Sequence, residues 1–146
     1  MAVSDLSFSS QIDDWVRRTE QRMNAVFRES TQRIVSLAAN GVPVDTGFAR
    51  ASIRASNQSM PKIDASAKGA DGQTYDAAGA MNDVTLVIAG SEIGQTVYVG
   101  WTAAYVLPLE YGHSKQAPTG FVRLAAAQWM HTVDQVTQEA KARAAR

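Results

Sequence analysis

The sequence predicts an α+β fold, in which a long N-terminal helix and a long C-terminal helix flank a small antiparallel sheet with a hairpin. Three patterns support this prediction. Apolar residues recur at steps of three and four over residues 5–39 and again over residues 120–143, and two segments between residues 83 and 101 carry large apolar residues at every second position. The chain has 146 residues, a length typical of one domain, so residues 1–146 are expected to fold as a single unit.

The first predicted helix covers residues 5–39. Apolar or small side chains would form one stripe along its surface, at Phe8, Ile12, Trp15, Val16, Thr19, Met23, Val26, Phe27, Ser30, Ile34, Leu37 and Ala38. Asn40-Gly41 is a suitable end, because Gly tolerates the left-handed conformation that ends helices. At about 1.5 Å per residue the helix would be roughly 50 Å long, longer than a compact domain of this size is wide. Part of it is therefore expected to project or to pack on a neighbouring chain.

The segment GVPVDTG, residues 41–47, ends this helix. Pro43 cannot continue a helix because it lacks an N–H, and Gly47 frees the backbone for a turn. The side chains of Asp45 and Thr46 can accept hydrogen bonds from nearby amides. We interpret Pro43, Asp45, Thr46 and Gly47 as a structural hinge. It leads into FARASIRAS, residues 48–56, which is a first strand or a short helix followed by one.

The middle of the chain predicts an irregular segment and then a hairpin. Residues 59–82 have no periodicity, so they are expected to form a flexible loop, or an arm that orders on assembly. DVTLVIAG (83–90) and QTVYVGW (95–101) read as alternating segments, in which Val84, Leu86 and Ile88 face one side and Val97, Val99 and Trp101 do the same in the second. The residues between the two segments supply a turn. These features predict two strands of a hairpin.

The last third of the chain predicts a short helical turn over residues 103–112, ended by Gly112, and a second long helix over about 120–143 with Thr119 as its cap. The inner positions of that helix are expected at Phe121, Leu124, Ala125, Gln128, Trp129, Val133, Val136 and Ala140.

Composition excludes several classes of function. Fourteen basic and fourteen acidic residues cancel, so net charge gives no argument for binding nucleic acid or a membrane. With no Cys and only two His, the chain lacks the residues for disulfides, thiolate metal sites or a three-histidine site, and we expect no metal and no cofactor. No apolar run reaches the ~20 residues of a membrane span and no signal-peptide pattern is present, so a soluble protein made in a cytoplasm is expected.

No catalytic constellation is apparent. Asp45, His113 and several Ser residues supply the residue types of a triad, but no nucleophile-elbow motif accompanies them. Glu92 and Glu110 are candidate carboxylates for sugar hydrolysis only by elimination. We therefore expect that the protein is not an enzyme and has no catalytic residue.

Charge is uneven although the total is zero. Residues 83–112 carry three acidic side chains and no Lys or Arg, whereas residues 113–146 carry five basic and two acidic ones. This asymmetry is either chance or the mark of patches that dock identical subunits head to tail. Arg50, Arg54 and Arg123 can contact phosphate or form ordinary ion pairs with Glu110 or Asp45, and the ion pairs are favoured.

The aromatic side chains also leave two alternatives, a stacking platform for bases or contacts within the core and between subunits. Because they are dispersed over several predicted elements, the second alternative is favoured. They are Trp15, Tyr98, Trp101, Tyr105, Tyr111 and Trp129.

Three motifs, in this order, resemble the neck, or tail-completion, proteins of long-tailed bacteriophages and gene-transfer particles. The first is a Pro-x-Asp-Thr-Gly turn followed by Leu-Arg-x-Ser-Ile, the second a Tyr-containing segment ending in Val-Glu-Phe-Gly, and the third Ala-Pro followed by Pro-Phe-Leu-Arg-Pro-Ala. The matching residues are Pro43, Asp45, Thr46, Gly47, Arg50, Ser52 and Ile53; Tyr105, Leu109, Glu110, Tyr111 and Gly112; and Ala117, Pro118, Phe121, Val122, Arg123 and Ala125. The chain departs from the pattern at Ala49, His113, Gly120 and Leu124.

The resemblance implies a structural virion protein that forms a homo-oligomeric ring at the head–tail junction. Such a ring joins head-side connector or stopper proteins to the tail terminator or tail tube, and genomic DNA passes through its channel. Arg50, Ser52, Tyr105, Glu110, Tyr111, Gly112, Pro118, Phe121 and Arg123 are then candidates for the motif-bearing or interface positions. The alternatives are a tail terminator that caps the tail tube and, from another class, a nucleic-acid-binding module that uses the basic C-terminal end.

Overall fold

The computed structural model describes residues 2–44, 47–67, 69–70, 72–112 and 114–146, with side chains from Phe8 onward. Over these residues the elements are α1 (Ala2–Gly41), α2 (Phe48–Ala51), β1 (Ile53–Ser56), α3 (Ala77–Ala89), β2 (Tyr98–Trp101), α4 (Val106–Glu110), α5 (Val122–Ala127) and α6 (Trp129–Ala144). The α+β prediction is confirmed: a long helix opens the fold, the sheet is antiparallel and a helix closes it.

The helix α1 has 40 residues and is about 60 Å long. Its C-terminal half packs against α3, α5 and α6, and it buries Ser30, Val35 and Ala38. Residues 8–23 are almost all exposed, with Phe8 66% and Trp15 62% accessible. Part of the helix therefore extends beyond the folded body, as its length predicts.

The sheet pairs β1 with β2, so that Ile53 lies opposite Trp101 and Ser56 opposite Tyr98. The predicted hairpin is wrong, because its first strand is part of the helix α3. Val84 and Ile88 are both buried, whereas Leu86 between them is 71% exposed. Three alternate residues of a strand would share one face, but in a helix only the two that are four apart do so.

The segment predicted as a flexible loop or arm, residues 59–82, contacts the body at several points. The amide of Asp64 donates to the carbonyl of Thr102 at 2.8 Å, and the ring of Tyr75 packs edge-on against Phe48 at 5.0 Å. The carboxylate of Asp76 accepts a hydrogen bond from the amide of Gly79 at 2.8 Å and caps α3. Residues 77–82 are therefore helical, while Lys68 and Asp71 lie outside the described residues.

Two apolar clusters form the core, and Trp101 contacts both. One lies under α4 and α5 and consists of Val42, Ala49, Ala103, Val106, Ala117 and Phe121. The other lies between α1, β1 and α3 and consists of Val35, Ile53, Val84 and Ile88.

The C-terminal region differs from prediction at its start. The single helix expected over 120–143 is divided at Gln128 into α5 and α6, and no side chain at the N-cap position of α5 forms the cap expected of Thr119. Phe121, Ala125 and Val136 are buried as predicted, whereas Leu124 is 52% exposed. None of the helices in the described part of the chain combines the length and apolar character needed to cross a membrane.

Candidate functional site

Arg50, which follows the hinge, binds carbonyl groups at the C-terminal end of α1. Arg50 donates from Nε to the carbonyl of Val42 at 3.1 Å and from Nη2 to that of Asn40 at 2.7 Å. The Asn40 carbonyl belongs to the last turn of α1, whose acceptors lack intrahelical partners, and the Val42 carbonyl follows directly after it. A cation is favourable at such a helix end. Pro43 is buried and Gly47 has φ 86°, while Asp45 and Thr46 lie outside the described residues.

Glu110 is the centre of the second motif and caps α5 from a distance. Its Oε2 accepts hydrogen bonds from the amides of Phe121 (2.8 Å) and Val122 (2.7 Å). Its Oε1 accepts from the amide of Arg123 (3.0 Å) and from Nε of the same residue (2.9 Å). The ion pair expected between Arg123 and Glu110 is therefore present, and it forms at a helix N-terminus that favours a negative charge.

The electrostatics of Glu110 follow from these contacts. The residue is 8% exposed, and burial alone would raise the pKa of its carboxyl group. The three amides and the Arg123 guanidinium outweigh burial because they bind only the charged form well, and they lower the pKa from 4.5 to about 2. Glu110 is thus a buried structural anion that ties α4 to α5.

Two glycines allow this close approach. Gly112 and Gly120 have φ of 86° and 87°, a conformation that other residues adopt at a cost. A Cβ at Gly112 would lie 2.5 Å from the carbonyl oxygen of Pro118, and one at Gly120 would lie 2.5 Å from that of Glu110. Gly112, expected at the end of a helical turn, also lies against the third motif through Pro118.

The remaining motif residues divide between interior and surface. Ser52 is buried and its hydroxyl donates to the carbonyl of Ala49 at 2.8 Å. Phe121 is buried and packs edge-on against Trp101 at 5.5 Å. Tyr105 stacks on Phe48 at 6.1 Å and is 41% exposed.

Tyr111 and Pro118 lie at the surface. The guanidinium of Arg123 is 4.8 Å from the centre of the Tyr111 ring, a cation–π contact. Most motif residues therefore fix the path of the chain, and Tyr105, Tyr111 and Pro118 present side chains outward.

A polar depression of about 720 Å³ lies between α2, α3 and the 64–67 turn. Two of its acidic side chains have structural partners: Asp76 caps α3, and Asp64 accepts hydrogen bonds from the hydroxyl and the amide of Ser66, which lower the pKa of its carboxyl group. A third, Asp83, also lines the depression. Arg54, also in its wall, donates to the carbonyls of Ala51 and Ile53. No cluster of three or more metal-ligating side chains occurs within the described ranges.

An uncovered apolar surface lies on the N-terminal half of α1. We define the α1 stripe as Phe8, Ile12, Trp15 and Val16, which are 66%, 45%, 62% and 42% exposed. Their spacing of three and four places them on one face of the helix. Since an aromatic side chain can bury about 150–250 Å², the two aromatic residues alone leave roughly 200–300 Å² in water. Ile12 and Val16 add to this area, and exposed apolar patches larger than a few hundred Å² are typical of interaction sites.

The second apolar surface is a groove between α1 and α6. We define the α1–α6 groove by its lining: Arg22, Met23, Val26, Phe27, Ser30, Ile93, Trp129, Val133, Thr137, Ala140, Lys141 and Ala144. It has a volume of about 390 Å³, and its α1 residues continue the face that carries the α1 stripe. The predicted inner positions Trp129, Val133 and Ala140 therefore line a groove open to solvent.

The groove walls are fixed by hydrogen bonds. Arg33 donates to both carboxylate oxygens of Glu139, at 2.7 and 3.3 Å, and holds α6 against α1. On the other wall, the amide of Ile93 donates to Oδ1 of Asn24 at 2.7 Å. Next to it, Nε of Arg28 donates to the carbonyl of Ser91 at 2.7 Å. The groove is thus preformed in the free subunit, which lowers the entropic cost of filling it.

Comparison with protein-family models, with curated proteins and with solved structures found no match.

Proposed function

We propose that this chain is a structural virion protein that assembles into a homo-oligomeric ring at the head–tail junction, joins the head-side connector to the tail tube and leaves a channel for DNA. The observation that carries the proposal is the α1 stripe, an apolar surface on a long projecting helix that the described part of the chain leaves uncovered. Burial of such a surface is a strong driving force for association. The resemblance of the three motifs to neck proteins is the basis for placing the ring at the head–tail junction.

The roles of the motif residues support an assembly part. Arg50, Glu110 and Gly120 stabilise helix ends and turns through hydrogen bonds and close contacts. Such a network holds the subunit in one shape, as a ring of identical copies requires. In this proposal the outward-facing Tyr105 and Tyr111 are candidates for contacts with the connector or the tail terminator.

The acidic region 83–112 is proposed to line the channel, where like charge would keep DNA from adhering. The surface charge there comes from Asp83 and Glu92, since Glu110 is buried and paired with Arg123. A reconstruction with Lys141 and Arg143 at the lumen in their place would contradict this part of the proposal.

The proposal is tested by deleting the gene from the phage or particle-producing genome and imaging the products by electron microscopy. We expect filled heads and separate tails that fail to join, and restoration of joining by the wild-type chain supplied in trans. Mass spectrometry of wild-type particles should find the chain at the stoichiometry of one ring. Normal joining without the gene refutes the proposal.

Two results would favour the alternatives. Tails of uncontrolled length in the deletion would indicate a tail terminator. Salt-dependent binding of short DNA by the purified chain, together with its absence from particles, would indicate a nucleic-acid-binding module.

A further inference from the structure

We propose that the α1 stripe of one copy docks in the α1–α6 groove of the next copy, so that identical subunits join head to tail. The inference rests on the proposed function and identifies the contact through which the ring would form. Because the two surfaces differ from each other, a pair of subunits that uses one such contact leaves one stripe and one groove free, and further copies can add head to tail until rotation closes the ring.

The geometry requires a second molecule. The α1 stripe and the α1 wall of the groove belong to one unbroken helix, Ala2–Gly41. A rigid helix cannot fold back on itself, so a subunit cannot fill its own groove with its own stripe. A neighbouring copy can bring the stripe to the groove as a helix with apolar residues at steps of three and four, which is the usual form in which a groove binds a helix.

The apolar surfaces match in kind. The stripe offers two large aromatic side chains, and aromatic residues are enriched at the energetic centres of interfaces. The groove offers aliphatic and aromatic walls from Val26, Phe27, Trp129 and Val133. A third helix seated along this groove would complete a three-helix contact with α1 and α6.

Charges match as well. Asp13 and Glu20 lie three residues before and four residues after Val16, so their carboxylates flank one edge of the stripe. The charged side chains that line the groove are both cations, Arg22 and Lys141. Within the described part of the chain, none of these four side chains forms an ion pair. Docking would bring the unpaired acids to the unpaired bases.

Disulfide trapping tests the contact directly, because the chain has no Cys and each introduced thiol is the only one present. Ile12→Cys places a thiol on the stripe and Thr137→Cys places one in the groove. The two variants, carrying tags of different mass, are mixed and oxidised. Leu86→Cys is the matched control, since Leu86 is 71% exposed on α3, outside both surfaces.

We expect the Ile12–Thr137 heterodimer to form about tenfold faster than any pair with the control, because docking raises the effective thiol concentration. Adding Trp15→Asp to the Ile12→Cys chain should lower the rate about tenfold by removing an aromatic anchor. Circular dichroism checks that this variant still folds. Glu20→Lys should slow trapping, and Lys141→Glu on the groove chain should restore it.

The outcomes separate the inference from the proposed function. A dominant Ile12–Ile12 homodimer means stripe-to-stripe pairing and overturns the inference, as does trapping no faster than the control. Trapping in solution by a chain that is absent from particles supports the contact and refutes the virion role. If the chain is found at the head–tail junction but the thiols at positions 12 and 137 stay unlinked in purified particles, the proposed contact is refuted and the virion role is not.

Discussion

Replacing Glu110 by Gln should destabilise the subunit by about 3 kcal/mol at neutral pH. The pKa of this carboxyl group falls from 4.5 to about 2 on folding, and each unit is worth about 1.4 kcal/mol. The hydrogen bonds give a similar figure. A Gln oxygen can replace one carboxylate oxygen, but its NH₂ group would then face N–H donors. The two bonds from Arg123 are then lost, one from its amide and one from its charged guanidinium.

The lowered pKa of Glu110 also determines how the stability of the subunit depends on pH. Because the folded pKa of Glu110 is depressed, its contribution to stability is fully present above the ordinary value of 4.5 and is lost as the pH falls through about 2. The gap in unfolding free energy between wild type and Glu110→Gln should therefore be constant above pH 5. The gap should narrow as the pH falls from 4.5 to about 2, and it should nearly vanish at lower pH.

Urea denaturation at several pH values, followed by circular dichroism, measures this gap. At neutral pH a loss of about 3 kcal/mol corresponds to a melting temperature lower by roughly 6–12 °C for a chain of this size. Glu92→Gln is the matched control, since that side chain is exposed, and it should change stability by less than about 0.5 kcal/mol. A gap that does not depend on pH between 6 and 2.5 would refute the assignment of Glu110 as a buried anionic cap.

Two further substitutions test other parts of the fold by the same denaturation assay. Val84→Ala should lower the free energy of unfolding by about 2 kcal/mol, because Val84 is 1% exposed. Leu86→Ala should be nearly neutral, because Leu86 is 71% exposed. Equal losses for the two variants would favour a strand over the helix α3. Gly120→Ala should cost about 1–3 kcal/mol more than Gly94→Ala, since both have positive φ but only the added Cβ at Gly120 meets other atoms. Similar losses at the two glycines would show that close packing against Glu110 is unimportant.

Local patterns predicted the elements whose signal lies within a few residues. The first helix was expected over residues 5–39 and is observed over Ala2–Gly41, because its apolar stripe persists for many turns. Gly41 is its last residue but does not take the left-handed conformation expected of it. The short helical turn before Gly112 is confirmed as α4. The alternation in FARASIRAS allowed a short helix followed by a strand, and these are α2 and β1.

The errors arose where short patterns are ambiguous or partners are distant. Val84 and Ile88 fit both a strand face and a helix face, and their β-branched side chains favoured the strand. Asp76, at the N-cap of α3, was the overlooked signal for a helix. That Glu110 would cap α5 was not predictable from local pattern, because the contact needs the turns at Gly112 and Gly120 to bring α4 back to that helix.

The α1–α6 groove also could not be predicted from the sequence. Its α6 residues follow the helical spacing expected of a buried face, and only the packing angle of two helices decides whether such a face is covered. The exposed N-terminal half of α1 could be anticipated, since its predicted length exceeds the width of a domain.

The anchored half of α1 has a consequence for the half that extends into solvent. Starting a helix is unfavourable by a factor of about 10⁻³, but adding a residue to an existing turn carries no such penalty. Residues 8–23 therefore remain helical by propagation from the packed turns, and fraying proceeds inward from the free end. Amide hydrogen exchange should slow gradually from that end toward Ser30, giving a gradient of protection along a single helix.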